Sequence, residues 1–286
     1  MGQNSAIEWT DHTFNPWTGC TRVSPGCDHC YAEALSRRSP QTFGSWQPGA
    51  PRRRTSEAYW RQPLAWNRKV AREGRRARVF CASMADVFDN QVPEEWRRHL
   101  WSLIWETRNL DWLLLTKRPQ NIASMLPPAE WHAEWPMPHV WLGTTVENQA
   151  EADRRIPQLL AVPAAKRFLS CEPLLGPVDL SAWWKESPPG STYWHPNGLH
   201  WIIAGGESGR GARPMHPHWA RSLRDQCAAA SVPFFFKQWG DFAWRATGEA
   251  AGAVNGGFAI PIAAVRVGKK AAGRLLDGRE HNEVPA

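Results

Sequence analysis

The stretch from Val79 to Thr116, VFCASMADVFDNQVPEEWRRHLWSLIWETRNLDWLLLT, decides the fold. It opens with a β-rich apolar run, Val79 to Met84, that ends in polar residues. Pro93-Glu94-Glu95 then has the proline and acid chemistry of a helix start, and Trp96, Leu100, Leu103 and Ile104 recur at helical spacing. A second apolar run, Asp111 to Thr116, follows. Such runs read as strands buried on both faces, so the unit is strand, crossover helix, parallel strand. It repeats downstream: His139 to Val146, Lys166 to Cys171, His200 to Gly205 and Val232 to Lys237 are further runs, and Asn148 to Leu160 and Pro217 to Ala230 are helices of the same kind. With a first strand near Thr13 to Thr18, the sequence predicts an α/β fold of seven parallel strands, joined by right-handed crossovers into an open sheet or a partial (β/α) barrel.

In such folds the loops after the strands' C-terminal ends collect at one face. The polar groups fall there: Ser83, Asp86 and Asp89; Lys117 and Arg118; Thr144, Thr145, Glu147 and Asn148; Cys171 and Glu172; Gly205-Gly206-Glu207-Ser208; Lys237-Gln238-Trp239. That pattern predicts a functional mouth. The barrel is expected over residues 1–240, with a basic insertion at 36–78 and a Pro/Gly-rich insert from Ser187 to Gly198. Residues 241–286 form a C-terminal extension, in which Val265 and Val267 before Gly268, and Leu275-Leu276 before Asp277-Gly278, suggest a hairpin.

Composition bounds the function classes. A chain of 286 residues, 42% apolar and 21% charged with mean hydropathy -0.51, fits one large domain. Its apolar runs are too short to cross a bilayer, and Met1 to Asp11 carries no targeting signal, so a cytoplasmic protein without a membrane partner is expected. The net charge of +7 is concentrated: Ser36 to Arg78 holds twelve basic and two acidic residues, +10 against -3 for the remainder. Arginines interleaved with tryptophan and proline fit contact with a phosphate backbone and base stacking, which makes Arg52, Arg53 and Arg54 candidate nucleic-acid contacts. A solvated helical face is the alternative reading of the same charges.

Six cysteines are too few for a disulfide scaffold. Cys81 and Cys171 lie on predicted strands and Cys227 on a helical apolar face, as small core residues do. Cys20, Cys27 and Cys30 differ: C-x6-C-x2-C, in a loop with Gly19, Pro25 and Gly26, lets three thiolates approach one centre. A four-iron cluster held by three thiolates leaves one iron open. A structural zinc recruiting His29, His12 or Cys81 is the rival, and unligated burial the third reading.

The cysteine triad after a first strand, followed by strand-helix repeats, resembles the radical S-adenosylmethionine (SAM) superfamily. More closely, Ile7-Glu8-Trp9-Thr10-Asp11, Asn15-Pro16-Trp17-Thr18-Gly19-Cys20, Pro25-Gly26-Cys27-Asp28-His29-Cys30-Tyr31-Ala32-Glu33, Gly205-Gly206-Glu207-Ser208-Gly209 and Phe236-Lys237-Gln238-Trp239-Gly240 resemble a phage and prophage radical-SAM-like family with a domain of unknown function. The resemblance implies a 4Fe-4S cluster on Cys20, Cys27 and Cys30, with SAM chelating the fourth iron. An electron donor would reduce the cluster, and SAM cleavage would give a 5'-deoxyadenosyl radical that abstracts hydrogen. It further implies His29 near the adenine and either Gly205-Gly206-Glu207 or Ser83 and Asp86 at the SAM amino group. Glu147 and Glu172, each at a strand end, are candidates to bind SAM or substrate or simply to pair with nearby arginines. Modification or repair of DNA, RNA or a nucleotide is the substrate class this analogy favours. The competing class is a zinc-stabilised nucleic-acid-binding protein without redox chemistry.

Overall fold

In the computed structural model, which describes residues 4–127, 130, 134–184, 198–246, 251–254, 257–259 and 262–285, seven strands form one sheet in chain order. They are β1 (His12–Phe14), β2 (Ala77–Cys81), β3 (Leu110–Thr116), β4 (Val140–Thr145), β5 (Lys166–Cys171), β6 (Trp201–Gly205) and β7 (Phe234–Gln238). Every neighbouring pair is parallel, with β1 and β7 as the two outer strands of the sheet. The longer helices are α1 (Tyr31–Arg38), α2 (Gln62–Arg72), α3 (Glu94–Glu106), α4 (Gln149–Leu160) and α5 (Pro217–Ala229). Within the basic stretch, α2 belongs to the crossover from β1 to β2 and buries Pro63, Trp66 and Val70. Asn148 caps α4 by accepting from the Glu151 amide, and Pro217 occupies the first turn of α5, where its missing N–H costs nothing.

Alternation along the strands divides the interior. One set, including Val79, Trp112, Leu114, Leu142, Leu169, Ile202 and Phe236, packs in the cluster shared with the helices. The other set, Phe80, Leu113, Trp141, Phe168, Trp201, Ile203 and Phe235, forms a second cluster closed by Trp9. Phe80 on β2 and Phe168 on β5 both meet the Trp9 ring, at 4.6 and 6.4 Å between centroids. In a flat sheet strands three apart stand about 14 Å from each other, so the sheet curls around Trp9 into a half-barrel.

Along this concave face bulk gives way to polarity. Trp141 is followed by Gly143 and Thr145, Phe168 by Ser170 and Glu172, Trp201 by Ile203 and Gly205, and Phe235 by Lys237. The strands therefore share an aromatic floor at their N-terminal ends and a polar roof at their C-terminal ends. Gly143 marks the crowding above the floor: a Cβ there would stand 2.3 Å from the Phe168 ring.

The first strand is shorter than the sequence suggests. β1 ends at Phe14, and Trp17–Thr18 pairs instead with Arg53–Arg54, because Asn15-Pro16 interrupts the ladder and the Pro16 carbonyl accepts from Thr55. The tail holds antiparallel pairing, and Leu276 bridges to Arg279 around Asp277-Gly278, but the partner of Val265 lies upstream. Val265 lies in a strand, Ile262–Arg266, that pairs backward with Phe242–Ala246, while one helical turn, Lys269–Ala272, follows Gly268. The chain then returns along β7, where the Phe236 amide donates to the His281 carbonyl and Trp201 Nε1 to the Glu283 carbonyl. The Pro/Gly-rich insert lies outside the described residues up to position 197. No helix among the described residues is long and apolar enough to cross a membrane.

Candidate active site

Above the floor the roof opens into a cavity of about 670 Å³, lined by all three of Cys20, Cys27 and Cys30. The volume lies within the range of small-molecule and cofactor sites. All six cysteines are free thiols, and these three are half-buried, whereas Cys81, Cys171 and Cys227 are buried in the core. Burial pushes the Cys20 thiol up to about 11, with Asp86 adding to the shift and Arg118 opposing it. Burial likewise raises Cys81, Cys171 and Cys227, which suits inert packing.

The cysteine loop is fixed by carboxylates at the strand ends, most of which act through an arginine. Asp86 holds Arg118 at 3.0 Å, and Arg118 donates to the Thr21 carbonyl at 2.9 Å and lies 3.6 Å from Cys20 Sγ. Asp89 holds Arg52 at 2.7 Å, and Arg52 Nη2 donates to Thr21 Oγ1 at 2.7 Å. Glu147 acts directly, accepting from Ser24 Oγ at 2.6 Å while Arg155 neutralises its other oxygen at 2.7 Å. Glu207 takes a two-pronged grip from Arg213, which also donates to the Pro25 carbonyl and pairs with Asp28. Removing one member of such a buried pair strands the other charge and costs about 3–5 kcal/mol.

Most sequence-predicted residues come together here, though several have other tasks. His29 lines the cavity with Nδ1 3.1 Å from Glu207 Oε2. Burial alone would raise the Glu207 pKa, but hydrogen bonds from Arg213 and His29 outweigh it and hold the carboxyl below its ordinary range. Ser83 lines the cavity and accepts from Asn15 at 3.1 Å, and its carbonyl accepts from Tyr31 Oη at 2.6 Å. Glu172 faces the cavity and pairs with Lys237 at 3.2 Å. Gly205 makes room for it, since a Cβ there would stand 2.5 Å from Glu172 Oε1, and Gly206 lines the cavity.

Three of these residues are structural braces. Glu147 is fully buried, with both carboxylate oxygens engaged, so of its two expected roles it takes the pairing with an arginine, Arg155, and anchors the loop. Asp86 borders the cavity but spends its oxygens on Thr116, Arg118 and the amides of Phe88 and Lys117, which makes it a brace for Arg118. Arg52 has 0% side-chain exposure against Asp89, so it is closed to any phosphate. Arg53 is exposed, whereas Arg54 pairs with Glu57 and stacks on Trp60 at 4.3 Å. Sequence reasoning did not single out Ser24, Tyr31 or Arg213; Ser24 and Tyr31 sit inside the cysteine motif, but nothing local marks Arg213.

The donor set fits an iron-sulfur cluster. Among the described residues no three His, Cys, Asp or Glu side chains stand close enough to hold a single metal ion. Three free thiols border one cavity, which is the donor type that a three-cysteine cluster takes, and Arg118 beside Cys20 offsets the charge such ligation brings.

The chain belongs to the family described as "Protein of unknown function (DUF5131)", whose model matches residues 4–285. No curated protein matches it. A solved structure of a cysteine-to-alanine mutant of spore photoproduct lyase with dinucleoside spore photoproduct is similar at a TM-score of 0.45 and 10% identity, over 93% of this chain and 71% of that one.

Proposed function

We propose that this member of the DUF5131 family is a radical SAM enzyme that abstracts hydrogen from its substrate. Cys20, Cys27 and Cys30 would hold a 4Fe-4S cluster, with SAM bound beside it in the same cavity. Loaded and reduced by an electron donor, the pair would supply the radical chemistry that hydrogen abstraction needs. The observation that carries this reading is the convergence of three free, half-buried thiols on one cavity at the polar mouth of a parallel half-barrel.

The protein's own residues hold, orient and exclude. Arg118 and Arg52 keep Thr21 in place, so Cys20 is positioned before any metal arrives. Glu172 and Lys237 place an acceptor and a donor on the cavity wall, suited to the amino and carboxylate groups of SAM. Lys117 Nζ, 3.3 Å from Thr145 Oγ1, adds a second cation there. The Glu207–Arg213 grip orients His29, whose Nδ1 faces the carboxylate. Trp46 and Phe80 supply an apolar wall that keeps water from a reactive centre.

Anaerobic purification and reconstitution, followed by iron, sulfide and zinc analysis, tests the assignment. About four irons per chain with matching labile sulfide, lost in Cys20→Ala, Cys27→Ala and Cys30→Ala and retained in Cys227→Ala, is the expected result. Dithionite-reduced protein should then release 5'-deoxyadenosine from SAM. One tight zinc without labile sulfide would assign the thiols to the zinc-stabilised alternative.

A further inference from the structure

The positive charge of the basic stretch is sorted by the fold. Several of its arginines have acidic partners: Arg37 pairs with Glu33 at 2.6 Å, Arg75 with Glu73 at 2.6 Å and Arg76 with Asp111 at 2.9 Å. Arg61, Arg68 and Arg72 do not. All three are exposed, and among the described residues none of their guanidinium groups has an ion pair or hydrogen bond. Their spacing of seven and four residues puts them on one line of α2 at about 100° per residue, directly opposite the buried line of Pro63, Trp66 and Val70. Arg61 continues the helical conformation at the N-terminal end, and only Ala65 lies between it and Arg68 on that line.

The row spans eleven residues, about 16 Å of helix. It therefore lies alongside roughly five phosphates of one strand at 3.4 Å each. Its upper end stands level with the C-terminal ends of the strands, because neighbouring Trp60 packs edge-on against Phe14 at 5.7 Å and Phe14 is the C-terminal residue of β1. Its lower end leads through Glu73 to Arg76 into the start of β2. A membrane surface is a poor partner, since an interfacial helix must offer an apolar face outward and α2 turns its own inward.

We infer that Arg61, Arg68 and Arg72 form a binding row for the phosphate backbone of a polynucleotide, leading along the flank of the half-barrel toward the mouth. Naming a polynucleotide as the partner deepens the radical SAM reading and rests on it for the chemistry, though not for the binding. Contacts of this kind hold and position a strand without reading its sequence.

Salt-titrated binding to fluorescent single-stranded DNA, duplex DNA and RNA oligonucleotides of mixed sequence tests the row. The triple variant Arg61→Gln, Arg68→Gln, Arg72→Gln is compared with a charge-matched control, Arg37→Gln, Arg75→Gln, Arg76→Gln, in the full chain. The tightest-bound oligonucleotide should lose roughly 2–3 units of log-log salt slope in the row variant, at about 0.7 to 0.9 per contact. Between about 50 and about 200 mM salt, wild-type affinity should then fall roughly 20- to 40-fold more than that of the row variant. The control should keep a slope near wild type. Equal losses in both variants would reduce the effect to a diffuse field and overturn the proposal, as would unchanged slopes or preferential binding to phosphatidylserine vesicles. Iron and sulfide content and 5'-deoxyadenosine release are measured on the same samples. They report on the enzyme reading separately, because exposed substitutions on α2 leave the cavity untouched.

Discussion

The floor and the roof of the half-barrel are built by the same strands within a few residues of each other, yet they obey opposite rules. On the floor Trp9, Trp141, Phe168 and Trp201 pack ring against ring, with centroid distances of 6.0 to 6.4 Å among them. Two residues further along most of these strands the side chains shrink or become polar, and packing gives way to a cavity walled by thiols, lysines and carboxylates. Stability is concentrated where the interior is full, and chemistry where it is not. A fold that fills one end of its barrel with aromatics can leave the other end open.

The comparison can be broken at either end. The largest effect is expected on the floor: Trp201→Ala should cost about 3–5 kcal/mol, read as a lower midpoint in guanidinium unfolding. Iron bound per folded chain should not change. A midpoint that hardly moves would mean that the floor does not carry the fold.

Acid should act next, at the N-terminal edge of the sheet beside the floor. His200, just before β6, is buried, and its Nδ1 accepts from the Arg167 amide at 3.0 Å. Burial lowers its pKa to about 4, with Arg167 and Lys166 adding to the shift. The folded state holds the ring neutral. Its contribution is thus fully present above the ordinary value of 6.5 and is lost as the pH falls toward about 4. The loss reaches as much as about 3 kcal/mol. Unfolding measured at stepped pH should show it, and His200→Asn, neutral throughout, should flatten the profile.

At the boundary, Gly143→Ala should cost about 1–3 kcal/mol, because the new methyl meets the Phe168 ring. Thermal melting checks this, and combining it with Phe168→Leu should recover part of the loss. The smallest stability effect belongs to the roof. Cys27→Ala and Cys30→Ala should each shift unfolding of the metal-free protein by less than about 1 kcal/mol while abolishing iron binding. A large destabilisation by either would make the triad structural.

Much of this division was legible in the sequence. The runs from Val79, Asp111, His139, Lys166, His200 and Val232 all become strands, with ends shifted by at most three residues, because buried β-branched and aromatic runs have few alternatives. The roof was legible as polar residues after each strand. What could not be read was the pairing across the chain. Glu147 resembles a ligand residue until Ser24 and Arg155, 123 positions before it and 8 after it, take up both its oxygens. Arg52 looks like its neighbours Arg53 and Arg54, and only Asp89 separates it from them. Trp9 lies before the first strand and gives no local hint that it seals the floor.

The four braces on the cysteine loop have a consequence for how the centre is maintained. Arg118, Arg52, Glu147 and Arg213 hold residues 20–28 by contacts that involve no metal. In proteins whose fold depends on a metal, losing the ion means losing the structure. On the reading proposed above, a loop braced in this way should keep its shape when empty. A cluster lost to oxygen would then be rebuilt in place from iron and sulfide, with no need to synthesise the chain again.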